Sequence, residues 1–180
     1  EPTSMAAVLG GDQSVVEARL AELGLEPANY NGGGQIVAAG DLAALATLAP
    51  EGARVRALAV AGAFHTSYMQ PAVEPMRALA ASMQVEDAAV GVLSNKDGAV
   101  ITNGREILDR IVDQIANPVR WDLCMQTLAD KGVTGAIEVA PAGTLVGLIK
   151  RAVPAIQQCA LKSPAEVETA IAFAGTHGGK

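Results

Sequence analysis

Apolar and polar residues follow two different periods along the first sixty positions of the chain. Residues 5–9 form a continuous apolar run, whereas over residues 54–59 the larger side chains of Arg54, Arg56 and Leu58 alternate with Val55, Ala57 and Ala59. Both patterns are typical of β-strands. Between them, apolar residues recur at helical spacing after Asp12, a residue type that favours the N-cap position. The chain therefore opens with a predicted strand and helix.

The next segment predicts a hairpin and a second helix. A glycine-rich turn at 32–34 separates two short strand-like stretches, 28–31 and 35–39, and Asp41 opens the helix. The resulting order, β-α-β-β-α-β, is the split βαβ pattern of a ferredoxin-like fold. We predict an α/β protein with a ferredoxin-like small subdomain at residues 5–61.

Helical and strand patterns alternate again beyond residue 62. Apolar spacing predicts helices after residue 66, near 108–115, near 144–151 and near 165–174, and strands at 90–93, 133–139 and 155–161. The pair Asn117-Pro118 predicts a further helix, capped by Asn117 and started by Pro118. We expect residues 62–175 to form part of a second α/β layer.

Composition and charge narrow the class of protein. Half of the residues are hydrophobic, with 19 glycines but only one Trp, two Tyr and two Phe, which suits close helix-to-strand packing. A net charge of −6 argues against nucleic acid as a partner. The apolar runs are much shorter than a membrane span, and no signal segment is visible. We expect a cytoplasmic protein without a membrane partner.

Few side chains offer metal or proton-transfer chemistry. Cys124 and Cys159 lie far apart without metal-ligand spacing, so we expect free thiols and no metal site. His65 follows a predicted strand, whereas His177 lies in the terminal tail. An imidazole, with an ordinary pKa of about 6.5, takes up and returns a proton near neutrality. From these residues alone, His65 is either a proton carrier or a packed or capping residue.

Six stretches, in the same order over nearly the whole chain, resemble the malonyl-CoA:acyl-carrier-protein transacylase family of type II fatty-acid synthesis, most of all its actinobacterial members. They are Met5–Gly10, Asn29–Gln35, Gly62–Thr66, Ser94–Gly98, Gln114–Trp121 and Glu138–Gly143. The resemblance implies a ferredoxin-like subdomain inserted into an α/β-hydrolase-like domain, with residues 62–175 as the C-terminal part of the latter. It also implies ping-pong transfer of malonyl from malonyl-CoA, through a serine, to the phosphopantetheine thiol of acyl carrier protein. Coenzyme A is then part of the substrate, and no cofactor is expected.

The resemblance assigns catalytic roles to two residues. His65 corresponds to the histidine that acts as general base and then acid. Gln114 corresponds to the glutamine whose backbone carbonyl accepts a hydrogen bond from the imidazole, where other triads use a carboxylate. A carbonyl orients the ring but carries only a partial charge. Without the resemblance, Gln114 would be interpreted as an ordinary exposed helix residue.

Four further residues correspond to substrate-binding positions of the family. Asn31 and Gln35 fall where amides line the acyl pocket, and Asn95 would be a polar wall of the site. Each of the asparagines could instead simply form a turn. Phe64 corresponds to the bulky residue that disfavours methylmalonyl in malonyl-selective members, with ordinary hydrophobic packing as the alternative.

The chain departs from the family pattern at the nucleophile. The family's Gly-His-Ser-x-Gly elbow does not occur in the 180 residues, and no arginine precedes Arg19 to match the one that pairs with the malonyl carboxylate. The first residue is Glu1 rather than methionine. We therefore expect the chain to be the C-terminal portion of such an enzyme, unable to form an acyl-enzyme alone.

Two alternatives remain open from the sequence. A chain without a nucleophile could be a non-catalytic module that binds acyl carrier protein. It could also be an acyltransferase segment of a modular polyketide synthase, which shares the Phe-His pair. A Gly-His-Ser-x-Gly sequence upstream in the gene would argue against the first alternative, and a multidomain reading frame would favour the second.

Overall fold

The computed structural model of the chain describes residues 2–178. Spatial contacts divide the chain into two units, of which the first ends at Cys124 and the second begins at Met125. The subdomain boundary expected near residue 61 is a different division and stays a prediction.

The first part of the first unit has the predicted β-α-β-β-α-β order. Its elements are β1 (Thr3–Gly10), α1 (Gln13–Glu22), β2 (Glu26–Gly32), β3 (Gln35–Asp41), α2 (Leu42–Ala46) and β4 (Ala53–Ala57). The strands lie in the order β4-β1-β3-β2, and each neighbouring pair is antiparallel. This is the ferredoxin-like arrangement, so that part of the predicted fold class is confirmed.

Local sequence signals account for the first helix. The Asp12 side chain accepts hydrogen bonds from the backbone N–H groups of Ser14 (2.9 Å) and Val15 (3.4 Å), as an N-cap does. Apolar residues on α1 then pack against one face of the sheet, in a core formed by Ala6, Val8, Val16, Leu20, Leu25, Ile36, Ala38, Leu45 and Leu48. The alternation of side chains along each strand leaves a second apolar set for the other face.

The remainder of the first unit adds two packed helices and a fifth sheet strand. Its elements are α3 (Gln70–Ser82), β5 (Val92–Leu93), β6 (Val100–Ile101), α4 (Gly104–Gln114), β7 (Val119–Arg120) and α5 (Trp121–Asp130), the last of which continues past the unit boundary. Val73 and Ala80 of α3 pack on Val112 of α4. β7 joins the sheet beside β2, parallel to it, with Asn29 opposite Val119.

Two local predictions for this region are wrong. Pro118 does not start a helix, because the residues after it form β7 and the helix begins only at Trp121. A long-range pairing with β2 has therefore overridden the local helix-start signal. The predicted buried strand at 90–93 is reduced to β5, and Val90 is 78 % exposed. The partner of β5 is the two-residue strand β6.

The second unit is a small α/β layer. β8 (Gly135–Val139) and β9 (Gln157–Leu161) pair in parallel, and they alternate along the chain with α6 (Leu145–Ala152) and α7 (Val167–His177). The parallel pair requires a crossover, which α6 supplies. Leu148 and Ile149 of α6 are buried, as is Cys159 of β9, and Cys159 is a free thiol. Over residues 2–178, none of the helices combines the length and apolar character needed to cross a membrane.

Candidate functional site

The segment that carries His65 is anchored to the face of the sheet opposite α1. Ala63 is 1 % exposed and packs in a core with Met5, Ala28, Val37 and Ala39. Its N–H donates to Oγ1 of Thr3 on β1 at 3.2 Å, and its carbonyl accepts from Oγ1 of Thr66 at 2.6 Å. Thr66 is itself fully buried. The backbone is therefore held on both sides of His65.

A second set of contacts holds Ser67, the residue after Thr66. The backbone N–H of Ser67 donates to Oε2 of Glu26 at 3.1 Å, and the Ser67 hydroxyl donates to Oε1 of the same carboxylate. Glu26 is the first residue of β2. The loop after β4 is thus tied to β1 through Thr3 and to β2 through Glu26.

His65 itself has an unusual backbone conformation. Its φ is +61°, and it is the one residue other than glycine with positive φ within the part of the chain that the structure describes. A side chain in this left-handed region costs roughly 1–2 kcal/mol. Such strain persists only where the surroundings determine the conformation, and it concentrates at functional sites. The contacts of Ala63, Thr66 and Ser67 are the local restraints that hold it.

The imidazole of His65 meets the end of α4. Its Nδ1 lies 2.8 Å from the backbone carbonyl oxygen of Gln114, and the contact is partly buried. A carbonyl oxygen only accepts hydrogen bonds, so Nδ1 carries a hydrogen, and in the neutral ring Nε2 then has the free lone pair. This arrangement leaves Nε2 able to take up a proton, while Nδ1 fixes the ring orientation.

The position of the Gln114 carbonyl adds to its strength as an acceptor. Gln114 is the last residue of α4, where carbonyl groups lack the intrahelical partners found further back in the helix. The helix macrodipole places about half a negative charge at this end. A carbonyl at a helix C-terminus therefore stabilises a positive imidazolium better than an isolated carbonyl does.

Asn95 lies close to the same helix end. Asn95 and Gln114 both line a cavity of about 210 Å³, whose other walls are mostly apolar residues of β5, β6 and α4. A second cavity of about 350 Å³ on the first unit is lined by Gln114 together with Tyr30, Lys96, Arg110, Asp113, Asn117, Pro118 and Arg120. The backbone carbonyl of Asn95 accepts from the N–H of Arg120 at 2.7 Å, which ties its loop to β7.

The other three predicted site residues lie apart from these cavities. Asn31 is half-buried at an irregularity in the pairing of β2 and β3, between Tyr30 and Gly32; such irregularities redirect side chains. Gln35 lines a separate cavity of about 150 Å³ among the glycines of the hairpin turn. Phe64 is 41 % exposed. Across residues 2–178, no group of three or more His, Cys, Asp and Glu side chains is placed to hold a metal ion.

Sequence patterns alone missed several residues that shape this site. Thr3 and Thr66 restrain the His65 segment, although each looks like an ordinary strand or loop residue. Asn117, predicted to cap a following helix, instead donates from Nδ2 to the carbonyl of Asp113 at 2.7 Å. The available signal was the recurrence of amide side chains at Gln114 and Asn117, three positions apart and directly before a proline.

Known proteins resemble the chain in both sequence and structure. No family model matches it. The malonyl CoA-acyl carrier protein transacylase of Mycobacterium tuberculosis is 50 % identical over 171 residues, which cover 93 % of this chain and 57 % of that protein. The protein of the same name from Mycolicibacterium smegmatis is 48 % identical over 175 residues, with 93 % and 60 % covered.

A solved structure of this kind of protein is also similar to the chain in fold. The crystal structure of MCAT from Mycobacterium tuberculosis has a TM-score of 0.88 and 50 % identity, covering 94 % of this chain and 57 % of that one. The chain thus spans less than two thirds of the length of these relatives, and the match falls on their C-terminal portion. The predicted mixed α/β fold, as the C-terminal part of a larger fold, is confirmed.

Proposed function

This chain belongs to the malonyl CoA-acyl carrier protein transacylase family, and we propose that it supplies the residues that transfer protons in a malonyl transfer site. The reaction is transfer of malonyl from malonyl-CoA to the phosphopantetheine thiol of acyl carrier protein. His65 is its general base and acid, and the Gln114 carbonyl is the acceptor that orients His65. The observation that carries the proposal is the 2.8 Å contact between His65 Nδ1 and the Gln114 oxygen.

The first half-reaction forms an acyl-enzyme on a serine outside this sequence. Nε2 of His65 accepts the serine proton while the serine oxygen attacks the thioester carbonyl of malonyl-CoA. When the tetrahedral intermediate collapses, the bond to sulfur breaks and the coenzyme A thiolate receives the proton from Nε2. The imidazolium formed in between donates from Nδ1 to the Gln114 carbonyl throughout.

The second half-reaction uses the same residues in the reverse sense. Nε2 accepts the proton of the phosphopantetheine thiol, the thiolate attacks the serine ester, and the serine oxygen leaves with the proton from Nε2. No metal ion or redox group takes part in either step, so the proposal requires no cofactor beyond the coenzyme A thioester itself. A cytoplasmic location remains an expectation of the sequence.

Roles for the amides and for Phe64 complete the proposal. Asn95 shares a cavity with Gln114, which supports a role as a polar wall of the acyl site. Asn31, Gln35 and Phe64 are assigned to substrate binding by their correspondence to the family motifs, and their positions near the hairpin and beside His65 are the only structural support.

Acylation with malonyl-CoA, followed by intact-mass and peptide mass spectrometry, tests the proposal. In the longest natural protein that contains this sequence, we expect one malonyl adduct on a serine outside the 180 residues. We expect no covalent adduct on the 180-residue chain alone. An adduct on one of the chain's own serines would contradict the proposal that the nucleophile lies outside the 180 residues. If the longer protein is not acylated at all, the proposed function is wrong.

A further inference from the structure

Two side-chain amides bracket the end of α4. Nε2 of Gln114 donates to the carbonyl oxygens of Asn117 at 2.7 Å and of Pro118 at 2.9 Å. In the opposite direction, Nδ2 of Asn117 donates to the carbonyl of Asp113 at 2.7 Å. Both hydrogens of the Gln114 amide nitrogen are therefore used on carbonyls that lie after the helix.

Pro118 removes one backbone N–H donor from the turn after α4. The last carbonyls of a helix need donors from outside the helix, and a proline that follows cannot offer an N–H. The Asn117 side chain supplies such a donor to the carbonyl of Asp113, near the end of α4, whereas the Gln114 side chain binds the carbonyls of Asn117 and Pro118, which lie beyond the helix. The turn between α4 and β7 is thus held by these amide contacts together with long backbone hydrogen bonds, in which the N–H groups of residues 115–117 donate to carbonyls three positions earlier at 3.2–3.4 Å.

Among the described residues, neither of these two amide side chains donates to the Gln114 carbonyl itself. Its backbone contact is the N–H of Asn117 at 3.4 Å, at the long limit of hydrogen bonding. The strong contact is His65 Nδ1 at 2.8 Å. The two amides bind the carbonyls of Asp113, Asn117 and Pro118, and the imidazole binds that of Gln114.

We propose that the Gln114 side chain and Asn117 are positioning residues that hold the Gln114 carbonyl in line with His65. Gln114 then acts twice: its backbone orients the imidazole, and its side chain fixes the turn from which that backbone projects. Neither side chain is required to touch substrate. The inference rests on the proposed function of His65, but the geometry it describes can be measured without any transfer reaction.

Variants of matched size separate this role from general stability. Gln114→Met keeps the length of the side chain and removes both hydrogen bonds, and Asn117→Asp keeps its shape and removes the donor. Gln126→Met is the control, because Gln126 is an exposed helix residue that donates to Asp130 one turn later. Circular dichroism of each variant establishes that it is folded.

The primary readout is the tautomer and Nδ1–H signal of His65, measured by nitrogen-15 NMR of its imidazole in the complete protein, meaning the longest natural protein that contains this sequence. We expect Nδ1–H in the unsubstituted protein and in Gln126→Met. In Gln114→Met and Asn117→Asp we expect exchange between tautomers and loss of the protected Nδ1–H signal. In the complete protein, kcat for malonyl transfer should fall about ten- to a hundredfold with KM little changed, because a small misplacement of a catalytic group has effects of this size.

The possible outcomes distinguish this inference from the proposed function. If both variants keep the tautomer of the unsubstituted protein, the backbone alone positions the carbonyl and the inference is wrong. If the tautomer is lost in both variants but the complete protein transfers no malonyl group, the positioning role holds and the function fails. If either variant is unfolded, the other still decides the question, because the two remove hydrogen bonds to different carbonyls.

Discussion

The guanidinium carbon of Arg120 lies 4.7 Å from the centre of the Tyr30 ring, within the range of a cation–π contact. Arg120 also donates to both carboxylate oxygens of Asp122, at 3.0 and 2.8 Å. Tyr30 lies on β2 and Arg120 on β7, so the contact reinforces the parallel pairing of these strands. It fixes the chain that leaves α4, and with it Gln114, to the sheet on which the His65 segment is anchored.

The environment of Tyr30 predicts a pH dependence of stability in alkali. Burial, with the nearby Glu17 carboxylate as the next cause, raises the pKa of Tyr30 to about 12, above the ordinary value of about 10. A raised pKa means that the folded state holds this proton more tightly. Its contribution is complete below about pH 10 and is lost as the pH rises towards 12. Denaturant titrations at several pH values should show the decline, and Tyr30→Phe should weaken it; an unchanged decline would contradict this account.

Gly98 and Gly24 form a matched pair for testing the loop that carries Asn95. Both have positive φ, +72° and +64°, but a Cβ on Gly98 would lie 2.6 Å from the Leu123 carbonyl oxygen, whereas one on Gly24 meets nothing within 4 Å. We expect Gly24→Ala to cost about 1 kcal/mol from backbone strain. Gly98→Ala should cost about 1–3 kcal/mol more, because the clash is with backbone. Equal unfolding free energies for the two variants would show that the loop can move away from α5.

Local signals in the sequence were sufficient for much of the ferredoxin-like part. Asp12 caps α1, and the glycines at 32–34 turn the hairpin, because each signal acts within a few residues. The start of α5 could not be predicted in this way. Pro118 carries a local helix-start signal, but Val119 pairs with Asn29, 90 positions earlier, and such pairing leaves no trace in the local pattern.

The candidate site shows the same division between local and long-range information. His65 could be singled out as a proton carrier from its chemistry, and its link to Gln114 came only from the family resemblance. Its positive φ could not be foreseen, because left-handed backbone is normally signalled by glycine. The contacts of Thr3 with Ala63, 60 positions apart, and of Glu26 with Ser67 determine that conformation.

The hydrogen bonds of Glu138 predict that the stability of the second unit falls in acid. Desolvation opposes the ionisation of Glu138, but the backbone N–H groups of Val146, Leu145 and Gly143 donate to its carboxylate and lower its pKa. A lowered pKa contributes stability that is present above the ordinary pKa of about 4.3 and is lost as the pH falls through the folded-state value.

The substitution Glu138→Gln should therefore destabilise the protein by about 1 kcal/mol near neutral pH, because the amide keeps one acceptor oxygen but lacks the negative charge that favours a helix N-terminus. The difference from the unsubstituted protein should shrink in acid. Thermal melts across this pH range measure it, with Glu51→Gln in an exposed turn as the control. A difference that stays constant with pH would show that the charge on Glu138 is unimportant.

The role proposed for Phe64 predicts a preference for malonyl-CoA over methylmalonyl-CoA. Phe64 precedes His65 directly, and its ring packs beside Gly62, where an added Cβ would lie 3.7 Å from the ring. If the ring crowds the α-carbon of the acyl group, Phe64→Ala should raise kcat/KM for methylmalonyl-CoA relative to malonyl-CoA by about tenfold, as removal of one steric contact does. Competition between the two thioesters in the complete protein measures the ratio. An unchanged ratio would mean that Phe64 only packs.

The most direct test of the central claim is the rate of malonyl transfer by His65→Asn in the complete protein, compared with the unsubstituted protein. Asparagine tolerates left-handed backbone, so the conformation at φ +61° is kept while the proton-accepting nitrogen is removed. We expect kcat/KM to fall by about 10²–10⁴-fold, the usual contribution of a general base, with unchanged thermal stability. A variant that transfers malonyl within a few-fold of the original rate would contradict the role of His65.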